Sequence, residues 1–474
     1  MRSLLEKNAG GAAPGAKAEN TAIVFGAAII AAVGGLLFGY DTAAISGAMI
    51  FIKQQFSLKT FPEELLVGMV LVGAAAAALG GGRLSDRLGR RATLLLTSVI
   101  FVIGALICAF AASFSILLFG RTVVGLGIGL ASTTVPVYIS EVSPPSARGW
   151  QVSLFQLAIT IGILGAYMVD YAFAGSGAWR WMLGLAAVPG LLLGLGMFFL
   201  PQSPRWLAHH GQTEKALEVL THIRGASDVS AEFQEIQATL SQASEEGHWS
   251  ALLSPAVRPA LTVGIGLAVF QQITGINTVI YYAPTILQSA GIPSASGAIL
   301  ATAGIGVVNV IMTLVSMWLI DRLGRRPLLL TGTAGIAITL GILGFAFLTP
   351  SAGLAKVAVV TLMVYVASFA ISLGPIFWLL ISEIYPLKIR GLAEGTAAAS
   401  NWAANLLVSL TFLTLVEALG PARTFWLYGL FAIVAWFFSY YLVPETKGRT
   451  LEEIERALNR HVAVRTQGAA EGAH

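Results

Sequence analysis

Asp86-Arg-Leu-Gly-Arg-Arg91 returns unchanged 235 residues later as Asp321-Arg-Leu-Gly-Arg-Arg326. Two further pairs keep nearly the same offset. Ile139-Ser-Glu-Val-Ser-Pro144 with Arg148-Gly149 matches Ile381-Ser-Glu-Ile-Tyr-Pro386 with Arg390-Gly391, shifted by 242, and Pro201 matches Pro444, shifted by 243. One basic loop can recur by chance, but three in order mark a duplicated unit, related by an axis along a membrane normal.

The segments between these loops are apolar. The chain has 474 residues, 56% apolar and 11% charged, with a mean hydropathy of +0.78. Soluble domains carry roughly 25% charged residues, so this is a membrane composition. A bilayer core takes about 20 apolar residues per helix. Twelve such runs are read at about 22–51, 64–84, 92–111, 115–139, 149–172 and 179–200, then 257–289, 297–320, 327–348, 355–384, 390–419 and 423–443. The expected fold is an all-α membrane protein of twelve transmembrane helices in two six-helix bundles. Its parts are an N-terminal tail (1–21), a first bundle (22–200), a linker (201–256), a second bundle (257–443) and a C-terminal tail (444–474). The first run, about 30 residues long, is too long for a signal-peptide core and is expected to stay as a spanning helix. In the linker, Gln212 to Ile223 and Ala231 to Leu240 have helix-like apolar spacing, the alternative being a solvated connection.

Lysine and arginine counts orient the bundle. The tails, the linker and the loops after runs 2, 4, 8 and 10 hold 22 basic residues; the opposite loops hold 5. Both termini are therefore expected on the cytoplasmic side of a cell membrane. The net charge of +4 is explained by these flanking positions, which argues against a nucleic-acid partner. The single cysteine, Cys108, has no disulfide partner and says little about compartment. All six histidines fall in segments read as cytoplasmic, and no metal cluster or nucleophile–base pair is visible. An enzyme, a metal and a cofactor are not expected.

Two facing bundles form a cleft that rocking exposes to each side in turn. The repeated loops fit a latch at its cytoplasmic edge. Arg87, Arg90 and Arg91 and their counterparts Arg322, Arg325 and Arg326 are placed to pair with Glu141, Glu383 and helix C-termini, together with Asp86, Asp321, Arg148 and Arg390. For the arginines, topology alone is the competing explanation; Asp86 and Asp321 are not needed for topology.

At these loops the chain resembles the major facilitator superfamily, and within it the sugar porter family of proton–sugar symporters and glucose facilitators. The narrower likeness rests on Gly39-Tyr-Asp41-Thr, Gly120-Arg121, Gln156-Leu-Ala-Ile, Pro201-x-Ser-Pro-Arg205, Gln271-Gln-x-x-Gly-x-Asn277, Tyr281-Tyr282, Asn401-Trp402 and Pro444-Glu-Thr-Lys-Gly448. Two positions depart from the family pattern. Gln202 stands where glutamate is usual, weakening a latch contact there, and Glu394 stands where an uncharged residue is usual and is expected to snorkel or pair with Arg390.

A sugar presents hydroxyls that donate and accept and apolar C–H faces, which amides and aromatic rings match. The resemblance implies sugar contacts at Gln156, Gln271, Gln272, Asn277, Trp378 and Asn401, and also at Tyr281, Asn309, Trp402 and Asn405. Helix-bridging hydrogen bonds are the competing role for such amides. Gln272 and Asn277 are five residues apart, about 140° around an ideal helix, so hinges are expected at Gly275 and, ahead of Trp378, at Gly374-Pro375.

Asp41 lies deep in the first run, where a lone charge is costly, and Arg121 on the fourth run is the one arginine deep enough to pair with it. The resemblance implies that Asp41 carries the coupled proton; a permanent ion pair tying two helices is the structural alternative. The function expected is proton:monosaccharide symport, for a hexose or pentose, by a carrier taken as monomeric in the lipid bilayer. A facilitative uniporter and a non-transporting sugar sensor are the alternatives.

Overall fold

The computed structural model describes residues 21–144, 147–225, 229–242, 257–349, 353–385 and 389–449, with isolated positions 252, 254, 255 and 453. The tail before residue 21 and all but one residue beyond 449 fall outside these.

Apolar sequence folds here as helix because, in lipid, every backbone N–H and C=O must find its partner within the segment. The first half contains α1 (Thr21–Phe56), α2 (Thr60–Leu88), α3 (Arg90–Ala109), α4 (Phe114–Val142), α5 (Arg148–Ala174), and the paired α6 (Trp179–Gly184) and α7 (Ala187–Phe199). Three short helices follow: α8 (Pro204–His209), α9 (Thr213–Arg224) and α10 (Ser230–Gln242). The second half contains α11 (Arg258–Ile273), α12 (Ile276–Ser289), α13 (Ala295–Leu323), α14 (Arg325–Leu348), α15 (Leu354–Ala370), α16 (Leu373–Ile384), α17 (Arg390–Ser409), α18 (Phe412–Leu419) and α19 (Pro421–Leu442). Among the described residues eleven spans are long and apolar enough to cross a membrane, or twelve if the bent pair α17 and α18 is one span. The helices run a few residues past the apolar runs at several ends because their last turns carry polar flanks.

The α8–α10 group has a small apolar core of its own, with Leu207, Leu220, Ile223, Phe233 and Ile236 packed around Val24 of α1. Arg224 ties it to the first half, donating to the Val142 carbonyl at 2.8 Å and pairing with Glu232 at 2.7 Å. These helices mark one face of the molecule, called here the linker face.

Large lipid-type side chains such as Phe199, Leu195, Phe345 and Leu407 point outward, as expected where the solvent is apolar. Between helices the approach is close. Gly39 packs on the Ile159 backbone, and Gly125 on that of Val70, where an added Cβ would overlap main-chain atoms.

Candidate functional site

Three of the expected spans of the second half are broken. The first break lies between α11 and α12, where Gly275 takes φ +92, a left-handed conformation that other residues reach only with strain. The second lies at Ile371–Ser372, between α15 and α16, two residues ahead of the expected Gly374-Pro375. The third, at Leu410–Thr411, has no glycine or proline and bends α17 against α18 by 40°.

The first break brings together residues that a straight helix would separate. Asn277 Nδ2 donates to Gln272 Oε1 at 2.7 Å, and Gln272 Nε2 donates to Asn401 Oδ1 at 3.1 Å. Asn401 Nδ2 in turn donates to Gln271 Oε1 at 2.6 Å. Gln271 Nε2 donates to the Leu373 carbonyl at 2.8 Å and the Gly374 carbonyl at 3.2 Å, in the first turn of α16. Four amides, three of them buried and Asn277 half-buried, thus form one network with α16 as its anchor. It is neutral, and each amide holds both donors and an acceptor.

Other expected residues surround this network unevenly. Tyr281 is buried, edge-on to Tyr282, and faces the Asn405 side chain. Asn405 itself accepts from Ser409 Oγ at 3.2 Å. Asn309 is buried on α13. Trp402 is buried against Phe38 of the first half, with ring centroids 5.7 Å apart. Gln156 is half-buried on α5 and makes no side-chain hydrogen bond among the described residues. Trp378 is exposed, at 43%, and lies edge-on to Phe377, so it is not part of the buried network.

Asp41 and Arg121 form an ion pair, Nη1 to Oδ1 at 2.5 Å, with both side chains almost fully buried. The pairing is incomplete: Asp41 Oδ2 and Arg121 Nε have no partner among the described residues. Charges taken out of water need their remaining lone pairs and protons satisfied, so such a pair is held far less firmly than a bidentate one.

At the linker face the two loops repeat their geometry. Arg90 binds Glu141 through two bonds at 3.0 Å each and also Asp86 at 2.9 Å. Arg325 binds Glu383 at 3.2 and 2.7 Å. Arg91 and Arg326 reach the C-terminal carbonyls of α7 and α19, where the helix dipole favours a cation. Arg87 and Asp321 are exposed and make no ion pair among the described residues, and Arg322 stacks on Trp318 at 3.9 Å. These bonds tie helices within each half; none joins one half to the other. The side chains of Arg148 and Arg390 lie outside the described residues, and with them the expected Glu394–Arg390 pairing.

The bonds that do join the halves lie on the opposite face. Between described residues they include Thr60 to Glu417 at 2.7 Å, Tyr167 Oη to the Ile280 carbonyl at 3.1 Å, and Glu64 accepting from Thr414 N at 2.8 Å and Thr414 Oγ1 at 2.7 Å. Glu64 caps α18 from the other half, which is what holds the third break. Neither Glu64 nor that break was expected from the sequence; the one signal was an acid at the start of an apolar run. The halves are thus closed on the face away from the linker. Among the described residues no three His, Cys, Asp or Glu side chains gather where a metal could sit.

The chain matches the model of a family described as "Sugar (and other) transporter" over residues 27–458. It is 40% identical over 457 residues to the galactose-proton symporter of Escherichia coli (strain K12), covering 95% of this chain and 98% of that one. It is 43% identical over 432 residues to the D-xylose transporter of Levilactobacillus brevis, covering 90% and 94%. Among solved structures, the major facilitator superfamily proton:xylose symporter XylE bound to 6-bromo-6-deoxy-D-glucose superposes with a TM-score of 0.79 at 34% identity, covering 93% of this chain and all of that one.

Proposed function

The chain belongs to the sugar transporter family, and we propose that it is a proton:monosaccharide symporter working by alternating access, with Asp41 and Arg121 coupling the proton and the amide network holding the sugar. It is a transporter and not an enzyme. The observation that carries the coupling is the incomplete Asp41–Arg121 pair, buried with one carboxylate oxygen and one guanidinium nitrogen unsatisfied. A proton arriving at Asp41 removes its charge and frees Arg121, so loaded and empty carriers differ in the electrostatics of the first half.

Gln271, Gln272, Asn277 and Asn401 bond one another, and a sugar exchanges those bonds for its own hydroxyls. Each neutral hydrogen bond nets about 1 kcal/mol, so a few of them give affinities on the order of micromolar to millimolar. That range suits a carrier that must release its cargo. Tyr281, Asn309, Trp402 and Asn405 extend the site, with Gln156 facing it from the first half. Trp378 contributes from its exposed position.

The linker face is assigned to the cytoplasm from the excess of basic residues there. The present arrangement, bonded across the far face, is then inward-facing, and the Arg90–Glu141 and Arg325–Glu383 pairs brace each half at the open side. The protein is taken to act as a monomer in the cell membrane.

Uptake into proteoliposomes of a panel of hexoses and pentoses, with and without an imposed proton gradient, tests both substrate and coupling. Asp41→Asn is expected to retain sugar counterflow and to lose accumulation. Concentration of sugar by that variant removes Asp41 from the coupling role.

A further inference from the structure

Besides Asp41, Glu63 and Glu64, the first half buries a further carboxyl group that the mechanism above does not use. Asp170 sits on α5, four residues before its end, and its side chain is fully buried. Its Oδ2 accepts a hydrogen bond from the backbone N–H of Gly47 on α1 at 3.1 Å. Its Oδ1 has no partner among the described residues. The fit against α1 is tight enough that a Cβ at position 47 would overlap the carboxyl group, so glycine is required there.

Among the described residues no cation pairs with this group. Arg121 is committed to Asp41. Lys53 is paired with Glu63. Arg180, at the start of the sixth span, bonds Gln55 and the Ala111 carbonyl. The titratable groups that face Asp170 are Tyr40 on α1 and Tyr167 on its own helix. Tyr40 donates its proton to the Met182 carbonyl and also senses the charge of Asp41. Tyr281 of α12 lies behind Tyr167. The half of α13 that packs on α5, Ala295 to Asn309, has no titratable side chain. An ionised carboxylate enclosed in this way, with one backbone donor and no counter-ion, costs far more than the neutral acid.

Position gives the group a use. Gly47 is six residues beyond Asp41 along α1, about 9 Å nearer the face closed by the bonds between halves. Tyr167, one turn before Asp170 on α5, makes one of those bonds, to the Ile280 carbonyl of the second half. When that face opens the bond must break, and the cover over Asp170 opens with it.

We propose that Asp170 is a second proton-binding site, loaded from the far face and lying on the path by which protons reach Asp41. The inference rests on the symport reading above. While the far face is open a proton enters as a solvated ion and forms an O–H bond on the Asp170 carboxylate; it passes on to Asp41 as a second proton takes its place, so the carboxyl is neutral when that face closes, and no bond to carbon changes.

Two measurements test this. In proteoliposomes of wild type, Asp170→Asn and Asp170→Ser, sugar uptake is followed as the external pH is raised at constant internal pH, beside counterflow at equal pH. Both variants are expected to keep counterflow while the external-pH dependence of uptake flattens; a profile that matches the wild type overturns the proposal. The second measurement needs no substitution at Asp170. The chain has five aspartates, so infrared spectra of protein carrying 13C-labelled aspartate in an Asp41→Asn, Asp228→Asn background leave only Asp86, Asp170 and Asp321 labelled. A labelled, protonated carboxyl band at neutral pH is expected, since Asp86 is a solvent-exposed ion pair and Asp321 is exposed. Its absence overturns the proposal even if both variants fail to fold. Absence of proton-driven uptake in the wild type would instead sink the symport reading, leaving the infrared band to decide whether Asp170 holds a proton.

Discussion

The two halves share a frame and differ in where they place charge. In the membrane interior, a shift of 236 aligns Gly39-Tyr-Asp41-Thr42 with Gly275-Ile-Asn277-Thr278. The first half has an acid there, bound to Arg121, within an unbroken helix. The second half has an amide, bound to Gln272, at the start of a helix that follows a break. At the linker face the order is reversed. Gln202 in the first half is neutral and accepts from the Arg91 and Ser203 backbone N–H groups at 3.1 Å each. Glu445 in the second half accepts from those of Arg325, Arg326, Thr446 and Lys447 at 2.9 to 3.0 Å. A duplicated scaffold therefore need not duplicate its chemistry: one half carries charge at its centre and the other at its edge.

Removing the central charge of the first half from one side only is the most severe test of this contrast. Arg121→Met strands the Asp41 carboxylate, and breaking a buried pair costs about 3–5 kcal/mol. A large fall in the thermal unfolding temperature of the detergent-solubilised protein is expected, with substantial recovery when Asp41→Asn is added. No recovery would mean that Arg121 acts through packing and not through charge.

Making the second half resemble the first should be less damaging to the fold and more damaging to the ligand. Asn277→Asp removes the donor now 2.7 Å from Gln272 Oε1 and sets two acceptors against each other. The cost of leaving such groups unpaired is about 1–3 kcal/mol, so sugar affinity measured by titration calorimetry is expected to drop by roughly tenfold or more. Unchanged affinity would place the sugar away from this network.

The sequence made the spans, the duplication and the Asp41–Arg121 pair legible, because lipid imposes apolar length and taxes every interior charge. It also exposed the break at Gly275, since the angular separation of Gln272 and Asn277 demanded one. The bend at Leu410–Thr411 left no such mark: Glu64, 350 residues away in sequence, caps the piece that follows. The hinge expected at Gly374-Pro375 falls at Ile371–Ser372. Proline at the third position of the new helix lies among the first N–H groups, which need no helical partner, so the chain breaks ahead of it. Trp378 was given as a sugar contact by the family resemblance, and its ring is exposed, outside the amide network. Asp170 was visible as an acid near the end of the fifth run, but only the fold places it against Gly47 without a cation.

The edge charges offer a gentler comparison, in which each half is given the other's residue. Glu445 accepts four backbone donors, two of them from the first turn of α14, where the helix dipole favours an anion. Burial pushes its carboxyl upward, but the backbone hydrogen bonds outweigh burial and hold it below the usual glutamate range. A group lowered in the folded state stabilises above its unfolded value, near 4.3 for glutamate, and that stability is lost as pH falls through the lower folded value. Glu445→Gln is therefore expected to destabilise the neutral-pH protein by about 1 kcal/mol and to narrow its difference from wild type in acid. Gln202→Glu should do the reverse on a smaller scale, adding about 0.3–1 kcal/mol at neutral pH by placing an anion at the start of α3. Unfolding temperatures of both variants across pH 3 to 8, compared with wild type, separate the two cases, and a pH-independent effect of Glu445→Gln would show that hydrogen-bond geometry and not charge distinguishes the two edges.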